Sequence, residues 1–312
     1  MDVILDVDTG VDDALAIVLA CRSEALTVRA ITCVAGNTGV DQVVANTLQV
    51  LDALDAPDIP VARGMTRPLI EAPGPTREVH GRDGMADLGL APSARRPVVD
   101  HAVELLRRVL LSATTPVTLI CLAPLTNIAV LLRAYPDVAG ALHRLLVVGG
   151  RGVGIALETP EYNLSHDPEA AAIVFTSGAP LTVYGLDVFG EVTVDAAVAA
   201  ALSAAPDPAQ QLAGRLVRHQ LARFGTPAAT IGDAGAVAAA IRPDGLTTAL
   251  RSVRVELAGQ SRGRLIFDPP EPRGLDLGSD QPGTLVGSGL VDVALRVDGL
   301  GYRELFLTTL RS

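Results

Sequence analysis

Short apolar runs bounded by turn residues recur along the chain, starting with Val3-Ile4-Leu5. Runs of this kind over 3–6, 28–34, 117–122, 145–148 and 181–184 are too short for helices and predict buried strands. Between them, apolar residues recur at helical spacing over 42–54, 101–111, 127–133 and 168–176. Strand and helix in alternation predict βαβ units, hence an α/β fold with a mainly parallel central sheet flanked by helices. Beyond this region, 194–223 reads as one Ala/Leu/Gln-rich helix, 224–232 as a loop, and a short helix starts at 234. Strand pattern returns over 252–257 and 265–267. The stretch 71–97, with Pro and Gly throughout, predicts a long loop, and loops of that length in compact domains usually have a function. No repeat, low-complexity tract or linker interrupts the pattern, so residues 1–312 are expected to form a single domain.

Composition narrows the picture. With 49% hydrophobic residues, 3% aromatic residues and no Trp, the core must be built from Ala, Val and Leu. A net charge of -10 leaves no basic stripe that could release phosphate counterions, which argues against a nucleic-acid partner. All 25 basic residues are Arg, so no mechanism that needs a lysine is open. Cys21, Cys33 and Cys121 lie in apolar stretches without CxxC spacing and read as reduced core residues. No signal peptide and no apolar run near the ~20 residues that span a bilayer is seen. The expectation is a soluble, cytoplasmic protein with no membrane partner.

The chemistry concentrates behind the first strand, where Asp6, Asp8, Asp12 and Asp13 crowd together around Gly10. Burying such carboxylates costs several kcal/mol unless a cation or hydrogen-bond donors compensate. They fall at the C-terminal end of a strand, where open α/β sheets bind ligands. Helix capping accounts for one or two of them. Four hard oxygen ligands suggest a Ca²⁺ or Mg²⁺ site, or one for sugar hydroxyls.

Other strands also end in polar or Gly-rich sequence: Ala35-Gly36-Asn37-Thr38, Ala123-Pro124-Leu125-Thr126-Asn127, Gly149-Gly150, Glu161-Tyr162-Asn163 and His166-Asp167-Pro168. His80-Gly81-Arg82-Asp83-Gly84 leads out of the Pro-rich loop, and Ile231-Gly232-Asp233 follows the long helical stretch. Taken singly, Asn37 reads as a turn residue, Asn127 and Asp167 as N-caps, and His80 as an exposed loop histidine. Taken together, they suggest one crevice. A dehalogenase-like phosphatase is disfavoured by Gly10 and the absence of Lys. A phosphate cradle is disfavoured by the acidic turn, and a Ser/His/Asp hydrolase by the absence of GxSxG.

Asp6-Val7-Asp8-Thr9-Gly10-Val11-Asp12-Asp13-Ala14 resembles the DxDxGxDDA signature of the calcium-dependent nucleoside hydrolases, the inosine-uridine preferring family. The other strand-end motifs follow in that family's order over nearly the whole chain. The resemblance implies a nucleoside hydrolase-like fold with a Rossmann-like core. It implies Ca²⁺ held by Asp8, Asp13, Asp233 and the Leu122 carbonyl, with Asp8 as the general base that activates a calcium-bound water. Asp12, Asn37 and Asn163 would hold the ribose hydroxyls, Glu161 would lie near the 5′-hydroxyl, and His80 would face the substrate. The implied reaction is hydrolysis of the N-glycosidic bond of a ribonucleoside. The implied assembly is a homodimer or homotetramer.

Two departures from the family pattern bear on the substrate. Gly232 stands where many members carry a general-acid His, and Gly154-Ile155 replaces a Gly-Asn pair that serves the 5′ end of ribose. They leave open a same-fold hydrolase for a modified or 5′-altered N-riboside. A catalytically weak ribose- or nucleoside-binding homologue is a further reading, although retention of Asp8 argues against it. His219, Arg223 and Phe224, at the end of the long helix, are candidates to reach the base.

Overall fold

The computed structural model describes residues 1–72, 77–151, 160–267 and 289–312. Its strands are β1 (Asp2–Val7), β2 (Thr27–Cys33), β3 (Val61–Arg63), β4 (Val117–Cys121), β5 (Leu142–Val148) and β6 (Leu181–Tyr184). They continue with β7 (Thr193–Asp195), β8 (Ala228–Thr230), β9 (Leu246–Val255), β10 (Leu265–Phe267) and β11 (Gly289–Val297). Nine of these form one sheet in the order β10-β9-β11-β6-β5-β4-β1-β2-β3. From β3 to β11 the neighbours are parallel; β9 and β10 close the other edge antiparallel. β7 and β8 pair separately.

Strand alternation divides the core in two. Val3, Leu5 and Val7 pack on one face with the helices Val11–Arg22, Val40–Ala53, Pro208–Phe224, Asp233–Ile241 and Gly299–Arg311. Ile4, Leu119, Cys121, Leu145 and Val147 pack on the other with Ala102–Ser112, Thr126–Ala134 and Pro168–Phe175. Successive side chains in a strand point to opposite faces, so a continuous apolar run is what a sheet covered on both sides requires. The expected α/β architecture is therefore present. All three cysteines are free, and burial pushes the Cys33 thiol up to about 12.

Several elements depart from the sequence reading. The stretch 194–223 is two helices, Ala196–Ser203 and Pro208–Phe224. Pro208 has no N–H to continue a helix, and its ring holds Asp207 extended, so Asp207 becomes an N-cap and the chain turns back on itself. β8 forms within the expected loop 224–232, because Ala228–Thr230 pairs with β7. The strand expected over 252–257 is the end of the longer β9. β3, β11 and the helix Gly299–Arg311 were not anticipated. Asn127 is not an N-cap: Leu125 holds that position and Asn127 lies inside the helix. Its buried amide instead donates to Asp6 Oδ1 (2.8 Å) and the Cys33 carbonyl (3.1 Å) and accepts from the Met65 N–H (2.9 Å). Asp167 does cap its helix, accepting from the Ala170 N–H. No helix among the described residues is long and apolar enough to cross a membrane.

β1 lies between β2 and β4, so the strand order runs outward in both directions from the β1/β4 pair. Such a switch point leaves a crevice at the carboxyl ends of the strands.

Candidate functional site

The acidic segment Asp8–Asp13 leaves β1 at that crevice. Gly10 is the N-cap of the helix Val11–Arg22, and Asp13 in its first turn folds back to accept from the Gly10 N–H (2.9 Å) and the Asp8 N–H (3.2 Å). Asp233 opens the helix Asp233–Ile241, which packs against Val11–Arg22. Two helix N-termini thus converge, and their partial positive ends offset part of the repulsion among the acids. Carboxylate oxygens of Asp12, Asp13 and Asp233 lie within 4.8 Å of one another. Asp8 is outside that trio but borders the same cavity.

The cavity has a volume of about 430 Å³. It is lined by Asp8, Asp12, Asp13, Asn37, His80, Leu122, Glu161, Asn163 and Asp233, so the structure brings together the catalytic, ribose-facing and cation-holding residues that the resemblance implied. Val79, Val148, Tyr162, Leu186 and Phe189 complete the lining and were not anticipated. Leu186 and Phe189 follow the end of β6, and that position after a strand is the one signal by which the sequence could have found them.

Asn37 secures the acids from the β2 side. Its N–H donates to Asp8 Oδ2 (2.7 Å) and its side-chain amide to Asp13 Oδ2 (3.4 Å). Gly36 lies so close to the Asp8 carboxylate that any Cβ there would overlap Oδ2. Asn163 donates to the carbonyls of Leu122 (2.8 Å) and Val148 (3.3 Å), tying the ends of β4 and β5 together. Glu161 caps the helix Tyr162–His166 and accepts from the N–H groups of Gly150, Asn163 and Leu164. His80 Nδ1 accepts from the Val11 N–H (3.2 Å) and lies 3.8 Å from Asp12. It is therefore largely enclosed rather than an exposed loop histidine.

Asp6 sits beneath the cavity. Its Oδ1 accepts from Thr32 (2.6 Å) and Asn127, and its Oδ2 has no hydrogen-bond partner among the described residues. Burial raises its carboxyl to about 7. Asp8, Asp13 and Asp233 are at most 3% exposed. Burial, then the charge of Asp12, raises Asp13 to about 7. Burial also raises Asp8 well above the usual carboxylate range, with the Asp13 charge adding to it, and Asp233 is raised in the same way. Burial lowers His80, against the opposing pull of Asp12.

The helix-end candidates do not reach the cavity. Phe224 is 55% exposed, Arg223 sits over its ring at 5.9 Å, and His219 Nε2 lies 3.2 Å from the Val79 carbonyl. The Gly154-Ile155 pair lies outside the described residues. Gly232 adopts φ +57°, ψ -123°, a conformation that side-chain-bearing residues rarely take.

The donor set fits a hard divalent cation: clustered carboxylates in a cavity that Leu122 also lines, with Asp13 and Asp233 buried and their carboxyls raised by burial.

Comparison with known proteins agrees with this arrangement. Residues 3–300 match the family described as inosine-uridine preferring nucleoside hydrolase. A pyrimidine-specific ribonucleoside hydrolase, RihA, of Salmonella schwarzengrund (strain CVM19633) is 35% identical over 275 residues, 86% of this chain and 88% of the relative. Among solved structures, a plant nucleoside hydrolase, the PpNRh1 enzyme, superposes with a TM-score of 0.88 at 28% identity, covering 99% of this chain and 98% of that one. A purine-preferring ribonucleoside hydrolase from Gardnerella vaginalis superposes with a TM-score of 0.87 at 26% identity, with the same coverage. By its matched residues, its fold and the acidic cavity at its strand ends, the chain belongs to the inosine-uridine preferring nucleoside hydrolase family.

Proposed function

We propose that this protein hydrolyses the N-glycosidic bond of a ribonucleoside, releasing ribose and the free base, and that it uses a calcium ion to do so. One observation carries this reading: four buried or half-buried aspartates share a cavity with Asn37, Asn163 and Glu161, whose polar groups suit a polyol. Asp8, Asp13, Asp233 and the Leu122 carbonyl are the residues that would hold the cation. When bound, the cation acidifies the attacking water and anchors ribose hydroxyls.

The chain's own groups supply the remaining chemistry. Asp8, oriented by the Asn37 N–H, takes the proton from the attacking water. Asp12, Asn37 and Asn163 hold ribose hydroxyls, and Glu161 receives the 5′ end. Breaking the bond leaves positive charge on the sugar, which the surrounding carboxylates stabilise. Relatives carry both pyrimidine-specific and purine-preferring names, so the sugar half of the reaction is what the likeness supports. Assembly as a homodimer or homotetramer belongs to the same reading, on family resemblance.

The test is a panel of ribonucleosides incubated with Ca²⁺ and assayed for free ribose. Release that disappears on chelation and in Asp8→Ala supports the assignment. Nucleoside binding without any ribose release would replace it with a binding role.

A further inference from the structure

Phe189 ends the short helix Leu186–Phe189 and lines the cavity without belonging to its polar set. Its ring tip occupies the space beside Gly232: a Cβ on residue 232 would lie 2.9 Å from Phe189 Cζ and 2.8 Å from Asp12 Cβ. The left-handed φ of Gly232 independently disfavours a side chain there. The Phe189 ring and the ribose-facing Asp12 are therefore neighbours, with Gly232 making room for both.

The backbone around the ring is fastened. Thr230 Oγ1 donates to the Phe189 carbonyl (2.7 Å) and accepts from the Gly232 N–H (3.0 Å), so one hydroxyl clamps both segments. The Ile231 N–H donates to the Val192 carbonyl, and β7 pairs with β8 immediately beyond, so the two segments are held as one unit.

We propose that Phe189 is a specificity-determining residue that forms an apolar wall against the planar base of the substrate, and that Thr230 is the positioning residue that sets the ring. This rests on the nucleoside-hydrolase reading, which places ribose on the carboxylates and so directs the base toward the apolar lining. Leu186 and Val79 extend the wall. An aromatic face recognises any flat heterocycle, and position 232, as glycine, offers no side-chain hydrogen bond to the base. The substrate class is a ribonucleoside whose base is gripped by its face.

The experiment compares KM and kcat for uridine and inosine, together with inhibition by free ribose, in wild type, Phe189→Ala, Phe189→Tyr, Thr230→Val and Thr230→Ser. Removing an aromatic stacking partner is expected to raise KM about tenfold in Phe189→Ala. The tyrosine variant should stay near wild type, and inhibition by ribose should not move. Thr230→Val should shift KM in the same direction and Thr230→Ser should restore it. Equal loss of nucleoside and ribose affinity, or an unchanged KM in Phe189→Ala, overturns the assignment. Should Phe189→Ala fail to fold, Phe189→Leu takes its place with the same expectations. Calorimetric titration of uridine and ribose into wild type and the Phe189 variant runs alongside. If wild type releases no ribose from any nucleoside, hydrolysis is refuted, while a selective loss of uridine binding still decides the role of Phe189.

Discussion

The two sides of the cavity are built on different physics. On the acidic side, neighbouring N–H groups hold Asp8 and Asp13, and two convergent helix ends carry Asp12, Asp13 and Asp233. On the apolar side, Leu186 and Phe189 owe their place to a short helix after β6 and to the Thr230 clamp. Burying like charges is so costly that the acidic side must have a purpose, and its residues show it in any context. An apolar wall is unremarkable as sequence, because Leu and Phe are ordinary core residues. Chemistry is therefore conspicuous on one side and selectivity inconspicuous on the other.

The largest expected effect is on the acidic side. Asp8→Asn keeps the shape of the side chain and removes the base, and kcat should fall by about 10²–10⁴-fold while the fold is retained. Steady-state kinetics with the best nucleoside of the panel measure it, and an unchanged kcat would remove Asp8 from the chemistry.

Chelation should abolish activity, and the pH dependence of cation binding sharpens the point. Asp13 rises from 3.8 to about 7 in the folded chain, so the cation-free protein gains stability from its protonated form at low pH and loses that gain as pH rises through about 7. A cation binds the deprotonated acids, so the rise in melting temperature on adding Ca²⁺ should be larger at about pH 8 than at about pH 5. The opposite order would mean that these carboxylates do not bind the ion.

Beneath the cavity the effect becomes one of stability. Asn127→Ala takes one buried partner from each of the Asp6 carboxyl, the Cys33 carbonyl and the Met65 N–H, leaving Asp6 with Thr32 alone. It should cost about 2–4 kcal/mol in urea unfolding. A loss below the scatter of surface variants would show that water replaces the amide. The smallest effect separates the true wall from the exposed aromatic that the sequence singled out. Phe224→Ala should change kcat/KM by less than about twofold, since surface substitutions are usually near neutral. A loss comparable to that of Phe189→Ala would bring the end of the long helix into the site.

Much of the fold was legible because β1, β4, β6 and the last four residues of β2 and β5 are buried on both faces and carry mostly apolar side chains. β3, with three residues at a sheet edge, has no period to detect. β11 carries a strand pattern, but its place between β6 and β9 comes from pairing with distant segments. Asn127 illustrates the same limit within the site. Its position near a helix start suggested a cap, whereas three partners distant in sequence made it a brace under the acidic floor.

Sequence by itself determined the α/β class, the family and the polar residues of the cavity, because dense carboxylates and strand-end motifs are improbable without a shared ligand. Tertiary structure alone decided which carboxylates meet most closely, that Asp6 lies below rather than within the cavity, and that Phe189 fills the space beside Gly232. Those outcomes depend on how the Asp233 helix packs against the first helix and on how Thr230 joins two loops. Contacts between residues so distant along the chain leave no mark in its local pattern.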